Sequence, residues 1–94
     1  MRRILAVCGM GLGSALILRM TVEKAIKNLN LDAQVTVADI STARGAGSDA
    51  DIIVTSAELA HQLGNVKGKI VTIKNYVDVK EMTDKLRSAI AELS

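Results

Sequence analysis

The chain has 94 residues, of which 49% are hydrophobic and 23% are charged, and its formal net charge is +2 at pH 7. This length predicts one domain over residues 1–94, with a modest core built from aliphatic side chains and Met because Phe, Trp and Pro are absent. Interspersed charges and a single Tyr exclude a nucleic-acid surface. The single Cys excludes an internal disulfide and a cysteine-based metal cluster, so we expect a protein of the reducing cytoplasm. We also expect no cofactor. No apolar run is long enough to span a bilayer.

The first stretch combines an apolar run with a glycine-rich loop. Residues 3–7 predict a strand that is covered on both faces and lies centrally in a parallel sheet. Cys8 follows, then glycines at every second position (Gly9, Gly11 and Gly13), and a helical spacing begins at Ser14. We expect at least one of these glycines to have a positive φ, so that backbone N–H groups can face a ligand. Together with the first turn of a helix, they predict an anion-binding loop that also favours the thiolate form of Cys8.

The next stretch predicts an amphipathic helix and a second strand. One helical stripe over residues 14–29 is apolar, and it comprises Ala15, Leu18, Val22, Ala25, Ile26 and Leu29. Charged residues at helical i, i+4 spacing mark the opposite face: Arg19, Glu23 and Lys27. Residues 33–38 predict a strand that is more polar than the first and therefore lies at an edge of the sheet. Residues 39–50 are small and polar, which predicts a loop.

The rest of the chain alternates again between short apolar runs and helical patterns. It predicts a strand over 51–54, a short helix ending near Gly64, a strand over 69–73, and a final helix after Asp78. Both helices begin with a capping-box pattern, formed by Thr55 with Glu58 and by Asp78 with Glu81. The final helix has an apolar stripe of Val79, Met82, Leu86, Ala89, Ile90 and Leu93.

This alternation predicts a Rossmann-like α/β fold, with four parallel strands in the order 2-1-3-4 and helices on both faces. Ligands of such sheets bind beyond the carboxyl ends of the strands, where the crossovers diverge to opposite faces. We therefore expect Cys8 to lie there, with Thr55 and Ser56 beside it.

Two nucleotide-binding loops differ from this one. A Rossmann dinucleotide loop reads G-x-G-x-x-G, whereas Ser14 stands where its third glycine would fall, although Asp39 could serve as the ribose-binding acid. A Walker loop needs a lysine before the helix, and there is none between Arg3 and Lys24. Because the loop lacks both motifs, we do not interpret its glycines as part of a nucleotide-hydrolysing site.

A cysteine phosphatase is a closer alternative, because it also places a thiolate after a strand and surrounds phosphate with backbone donors. Such an enzyme needs an arginine six positions after its cysteine, and that position is Ser14 here. The residues favour a loop that receives a phosphoryl group from a partner. They leave open a phosphatase-like enzyme and a module that binds an anion or nucleotide without covalent chemistry.

The sequence Ile-Leu-Ala-Val-Cys-Gly-x-Gly-x-Gly-Ser over residues 4–14, with Ala-Asp-Ile-Ile-Val over residues 50–54, resembles the IIB component of the phosphoenolpyruvate-dependent sugar phosphotransferase system. The similarity is to the ascorbate and galactitol type. It implies a protein-N-phosphohistidine–sugar phosphotransferase, in which Cys8 accepts a phosphoryl group from a IIA phosphohistidine and passes it to a sugar bound by the membrane IIC component. It also implies that the phosphate-binding loop comprises Gly9, Met10, Gly11, Leu12, Gly13 and Ser14.

Other residues around the loop have more than one interpretation. Ser14 could cap the helix, contact the phosphate, or do both. His61 is predicted to be a surface histidine, because it lies within a helix and far from any glycine loop. The apolar residues near the loop exceed what one core stripe needs, and we expect Met10, Leu12 and Leu16 to dock the partner. Ile17 and Met20 belong to the same apolar surplus.

Overall fold

A computed structural model describes residues 2–7, 12–38, 50–63 and 68–93, with side chains in the second range from Leu16 onward. Its elements in chain order are β1 (Arg2–Val7), α1 (Leu12–Leu29), β2 (Ala33–Ala38), β3 (Ile52–Thr55), α2 (Ala57–Leu63), β4 (Lys69–Thr72) and α3 (Val79–Leu93). All strand pairs are parallel, in the order β2-β1-β3-β4. The predicted order is confirmed, and β3 lies one residue later than predicted. Residues 39–49 of the predicted loop lie outside the described residues.

The sheet separates two apolar clusters, which confirms that helices cover both faces. The larger cluster lies where α1 and α3 pack on the sheet, and its fully buried members include Ile4, Leu18, Ile52, Met82 and Leu86. The smaller cluster lies on the opposite face, and its buried members within the described ranges are Leu5, Val7, Ile53 and Leu63. Leu63 attaches α2 to that face. The central strands β1 and β3 therefore contribute alternate side chains to both clusters.

Strand β2 is an edge strand, as its polarity predicts. It pairs only with β1, and residues 33–37 alternate between half-buried and exposed. Its half-buried residues, Ala33, Val35 and Val37, pack against the larger cluster. Because β1 has β2 on one side and β3 on the other, its carboxyl end lies between two neighbouring strands.

Helix α1 has the predicted two faces but begins earlier than predicted. Leu18, Val22 and Ala25 are buried in the larger cluster, and an exposed ion pair joins Arg19 to Glu23 at 3.7 Å on the other side. The helix begins at Leu12, so the interpretation of Ser14 as its N-cap is wrong. The free-energy cost of glycine in a helix applies to the helix interior. Gly13 lies in the first turn, so it does not prevent α1 from beginning at Leu12.

Helix α1 ends in a Schellman motif. Leu31 N donates to Ile26 O at 3.0 Å, and Asn30 N donates to Lys27 O at 3.1 Å. Asn30 has a φ of 55°, which is the left-handed conformation that this motif requires at the residue after the helix. Asparagine tolerates that conformation better than most residues, but glycine adopts it without a Cβ penalty.

Replacing Asn30 with Gly should therefore stabilise the protein, by up to about 1 kcal/mol. The matched control is Asn28→Gly, which places glycine in the last turn of the same helix and should destabilise by about 0.3 kcal/mol, since Asn is itself a poor helix former. Urea unfolding of the two variants beside the wild type measures both effects. A loss of stability in Asn30→Gly would contradict the role that we assign to the left-handed residue.

Candidate functional site

The carboxyl end of β1 is tied to the neighbouring strand by a buried side chain. Thr55, the last residue of β3, donates a hydrogen bond from its Oγ1 to the carbonyl oxygen of Val7 at 3.2 Å. Both residues are fully buried. Cys8 follows Val7 directly in the chain but lies outside the described residues. The bond fixes the strand end from which the cysteine emerges, and it places Thr55 and Ser56 at the same edge.

The structure corrects the predicted role of Thr55. The sequence pattern assigned Thr55 to the cap of α2, but the helix begins at Ala57 and the capping oxygen is Ser56 Oγ, which accepts Leu59 N at 3.3 Å. Thr55 instead completes β3, where a β-branched side chain packs well and its hydroxyl reaches Val7. Ser56 is therefore the N-cap of α2, a position at which the short hydroxyl side chain of serine is favoured.

Helix α1 begins at the same edge of the sheet, because a crossover helix runs antiparallel to the strands that it connects. Its first residues are Leu12, Gly13 and Ser14, and their N–H groups have no acceptor within the helix. The positive end of the helix dipole adds to those donors. Gly13 lies within the helix, where φ is negative, so the prediction of a positive φ now concerns only Gly9 and Gly11. Those glycines and Met10 lie outside the described residues, as does the loop they form.

The first half of α1 has an exposed apolar face. Leu16 is 57% exposed, Ile17 44% and Met20 55%, and helical spacing places the three side by side, away from the core. We call these three residues the α1 apolar face. Leu16 thus lies on the surface, as the docking prediction requires. The side chain of Leu12, like all of Met10, is outside the described residues.

The turn between β4 and α3, residues 73–78, adds a second element at this edge. Buried Thr21 of α1 has its hydroxyl within hydrogen-bonding distance of the carbonyl oxygens of Tyr76 and Ile17. The bond to Tyr76 joins the turn to α1, and the next residue, Val77, is 61% exposed. Sequence reasoning missed Val77, because a single valine in a turn carries no periodic signal.

Glu81 holds this turn in place. As predicted, Asp78 caps α3, and its Oδ1 accepts Glu81 N at 3.0 Å. The Glu81 carboxylate does not complete the capping box at Asp78. It accepts the N–H groups of Lys74, at 3.2 and 3.3 Å, and of Asn75, at 3.2 Å, and lies 3.4 Å from Lys85 Nζ. Burial raises the pKa of Glu81, but the hydrogen bonds from Asn75, Lys74 and Lys85 outweigh it, so the net pKa is lowered.

A lowered pKa means that the Glu81 carboxylate stabilises the folded state at neutral pH. We expect that stabilisation to be complete above the ordinary value of 4.5 and to disappear as the pH falls through the lower, folded value. Glu81→Gln should reduce stability at pH 7 and flatten its dependence on pH below 4.5. Urea unfolding between pH 7 and pH 3 measures both. Parallel pH profiles for variant and wild type would show that Glu81 does not contribute.

Other predicted features can be placed more briefly. His61 is exposed on α2, as the sequence predicts. Among the described residues, no group of three or more His, Cys, Asp or Glu side chains could hold a metal ion. In the same part of the chain, no helix is both long enough and apolar enough to cross a membrane.

A four-stranded parallel sheet with helices on both faces places this chain among the small Rossmann-like α/β domains. Residues 3–88 match the family described as "PTS system, Lactose/Cellobiose specific IIB subunit". The chain therefore belongs to the IIB family of the phosphoenolpyruvate-dependent sugar phosphotransferase system.

Individual relatives agree with this assignment. The chain is 33% identical over 88 residues to the ascorbate-specific PTS system EIIB component of Mycoplasma pneumoniae, with 93% of each chain covered. It is also 33% identical over 91 residues to the protein of that name from Salmonella typhimurium, covering 96% of this chain and 90% of the relative. The lactose-specific IIB domain from Streptococcus pneumoniae has the same fold, with a TM-score of 0.61 at 12% identity over 99% of this chain and 98% of that one.

Proposed function

We propose that Cys8 carries a phosphoryl group from a IIA phosphohistidine to a sugar bound by the membrane IIC component. The observation that carries this proposal is the position of Cys8 in a IIB chain. Cys8 directly follows Val7, which is the buried last residue of β1. The carbonyl oxygen of Val7 accepts a hydrogen bond from Thr55 Oγ1 at 3.2 Å. A nucleophile on a fixed strand end needs little reorganisation to reach an incoming phosphorus atom.

The proposed reaction has two in-line displacements. In the first, the Cys8 thiolate attacks the phosphorus of the phosphohistidine, so that an S–P bond forms, the N–P bond breaks and the imidazole nitrogen leaves with the electron pair. In the second, a sugar hydroxyl oxygen attacks the same phosphorus, the S–P bond breaks and the thiolate is regenerated. The hydroxyl proton passes to a base on the acceptor side. The sugar leaves as its phosphate ester, and no cofactor is consumed.

Backbone donors support the charge of the phosphocysteine in this proposal. The phosphorylated side chain carries close to two negative charges. The first-turn N–H groups of Leu12, Gly13 and Ser14, together with those of Gly9 to Gly11, would share that charge, and the helix dipole adds to them. With Ser14 where a phosphatase has arginine, the loop holds the group without the bidentate clamp that serves hydrolysis.

The proposed sugar is ascorbate, with galactitol as the alternative. The ascorbate assignment rests on relatives with that name that are 33% identical over nearly the whole chain. The matching family is described by lactose and cellobiose. It therefore supports a role in sugar phosphotransfer but gives no support to ascorbate as the sugar. We further propose that residues 1–94 act as one domain in the cytoplasm. Met10, Leu12 and Leu16 would contact the IIA partner there.

Intact-protein mass spectrometry tests the proposal. The wild type, mixed with phosphoenolpyruvate, the two general phosphotransferase proteins and its IIA partner, should gain the mass of one phosphoryl group. It should lose that mass only when IIC and ascorbate are added, and galactitol in place of ascorbate discriminates the sugars. Hydrolysis of an aryl phosphate by the protein alone would indicate a phosphatase. Binding of phosphate with no mass gain would indicate a non-covalent module.

A further inference from the structure

We propose that the turn between β4 and α3 is the second half of the surface that receives the phosphohistidine-bearing donor. In this proposal Val77 contacts the donor, and Glu81 is the positioning residue that presents Val77. The inference rests on the proposed function, because the donor must approach the sheet edge at which Cys8 lies.

The first observation is that the turn and the α1 apolar face are neighbours. Tyr76 accepts a hydrogen bond from Thr21, which directly follows Met20 and lies one helical turn after Ile17. The turn is also joined to the strand beside Cys8, because Ile73 N donates to Thr55 O at 3.0 Å. Val77, at 61% exposure, therefore adds an exposed apolar side chain on a turn that is hydrogen-bonded to the helix carrying the α1 apolar face.

The second observation is that the turn is rigidly held although its apolar residue is exposed. Lys74 N and Asn75 N donate to the Glu81 carboxylate, Val77 N donates to Asn75 Oδ1 at 3.1 Å, and Asp78 N donates to Asn75 O at 3.1 Å. A contact residue fixed before binding loses little conformational entropy when the partner arrives. The turn thus has the properties of a preorganised contact rather than of a mobile loop.

The third observation concerns charge, and it favours the phosphorylated donor as the occupant. Two exposed lysines lie on the same two elements: Lys24, one helical turn after Met20 on α1, and Lys74 in the turn itself. On α1, Arg19 pairs with Glu23 at 3.7 Å, and beside the turn Asp78, which caps α3, is followed by the exposed Lys80. A phosphohistidine brings negative charge to the face of its own protein. Cations around an apolar centre increase the rate at which such a partner associates.

The test measures the rate at which Cys8 is charged by phosphorylated IIA. Val77→Asp should lower kcat/KM for charging by about tenfold or more, since an aspartate would leave its own charge buried against an apolar partner. The matched control is Leu93→Asp, at the far end of α3, where the leucine is 37% exposed. It should charge at the wild-type rate. Circular dichroism and urea unfolding should show that both variants fold.

A second variant tests the positioning role of Glu81. Glu81→Ala should raise KM for phosphorylated IIA and leave kcat at saturating donor unchanged, because it frees the turn without touching Cys8. In the double variant Val77→Asp/Glu81→Ala, the Val77→Asp change should lower kcat/KM for charging by a smaller factor than it does in the wild-type background. The reason is that the released turn no longer holds residue 77 toward the donor. If the role of Glu81 were purely structural, Glu81→Ala would lower stability without raising KM selectively over kcat. If the effects of Glu81→Ala and Val77→Asp simply added in the double variant, the positioning role would be overturned.

The outcomes separate this inference from the proposed function. A wild type that is never charged at Cys8 would remove the proposed function and this inference with it. A wild type that is charged normally, beside a Val77→Asp variant charged at the same rate, would overturn the inference alone. A Val77→Asp defect confined to delivery from Cys8 to the sugar would also overturn it, because the surface would then serve IIC.

Discussion

Cys8→Ser should yield a folded protein that gains no phosphoryl group from phosphorylated IIA. A thiol ionises within reach of neutral pH when amide donors and a helix terminus stabilise the thiolate, whereas a serine alkoxide at the same position is far too basic to form. The change from sulfur to oxygen is small in volume, and it lies beyond the buried end of β1, so the core should not be disturbed. We expect a complete loss of charging.

The measurement is intact mass after mixing with phosphoenolpyruvate, the general phosphotransferase proteins and IIA. The matched control is His61→Gln, which removes the exposed histidine of α2 and should be charged like the wild type. Charging of Cys8→Ser at the wild-type rate, or phosphoryl label on His61, would contradict the assignment of Cys8.

Leu16→Asp should slow charging by IIA by about tenfold to a hundredfold while the protein stays folded. Burying a leucine side chain against a partner contributes roughly 1.5–3 kcal/mol, and each 1.4 kcal/mol corresponds to about a factor of ten. Leu16 is 57% exposed, so its removal costs the core little. The effect should grow with the share of the α1 apolar face that the partner covers. We expect Leu12→Asp to act in the same direction.

Stopped-flow or rapid-quench measurement of phosphoryl transfer from IIA gives the rate, and unfolding by urea checks the fold. Leu93→Asp again serves as the control, because it places the same charge at an exposed leucine on a different helix. If Leu16→Asp were charged at the wild-type rate, the partner would not use the α1 apolar face.

The strand pattern could be predicted because it depends on local apolar runs. Residues 4–7 are apolar at every position, which is typical of a strand covered on both faces, and β1 is indeed a central strand. The polar alternation of residues 33–38 likewise identified an edge. With the first strand central, the second strand at an edge and every crossover right-handed, only a few strand orders remain possible. The exposed position of Leu16 could be expected from a surplus of apolar residues on one helix.

Features that depend on tertiary neighbours could not be predicted. Thr55 and Ser56 are both acceptable caps by residue type, and only the nearness of the Val7 carbonyl decides that Thr55 stays in the strand. Glu81 fits a capping box by spacing, yet its carboxylate bonds Lys74 and Asn75 because the chain turns back toward it there. The start of α1 was misplaced because the glycines before it are poor indicators of where a helix begins.

Among the described residues, the buried apolar side chains are divided unevenly between the two faces of the sheet, and we expect these faces to open with different ease. Helix α2 has seven residues, too few to persist alone, and in the part of the chain that the structure describes it packs on a cluster of four buried residues. Local unfolding of α2 should therefore need much less free energy than separation of α1 or α3, which share the larger cluster. Amide protons of α2 should exchange with solvent first. The surface that we assign to the partner lies on the slowly exchanging half of the molecule, so docking would not have to compete with local unfolding.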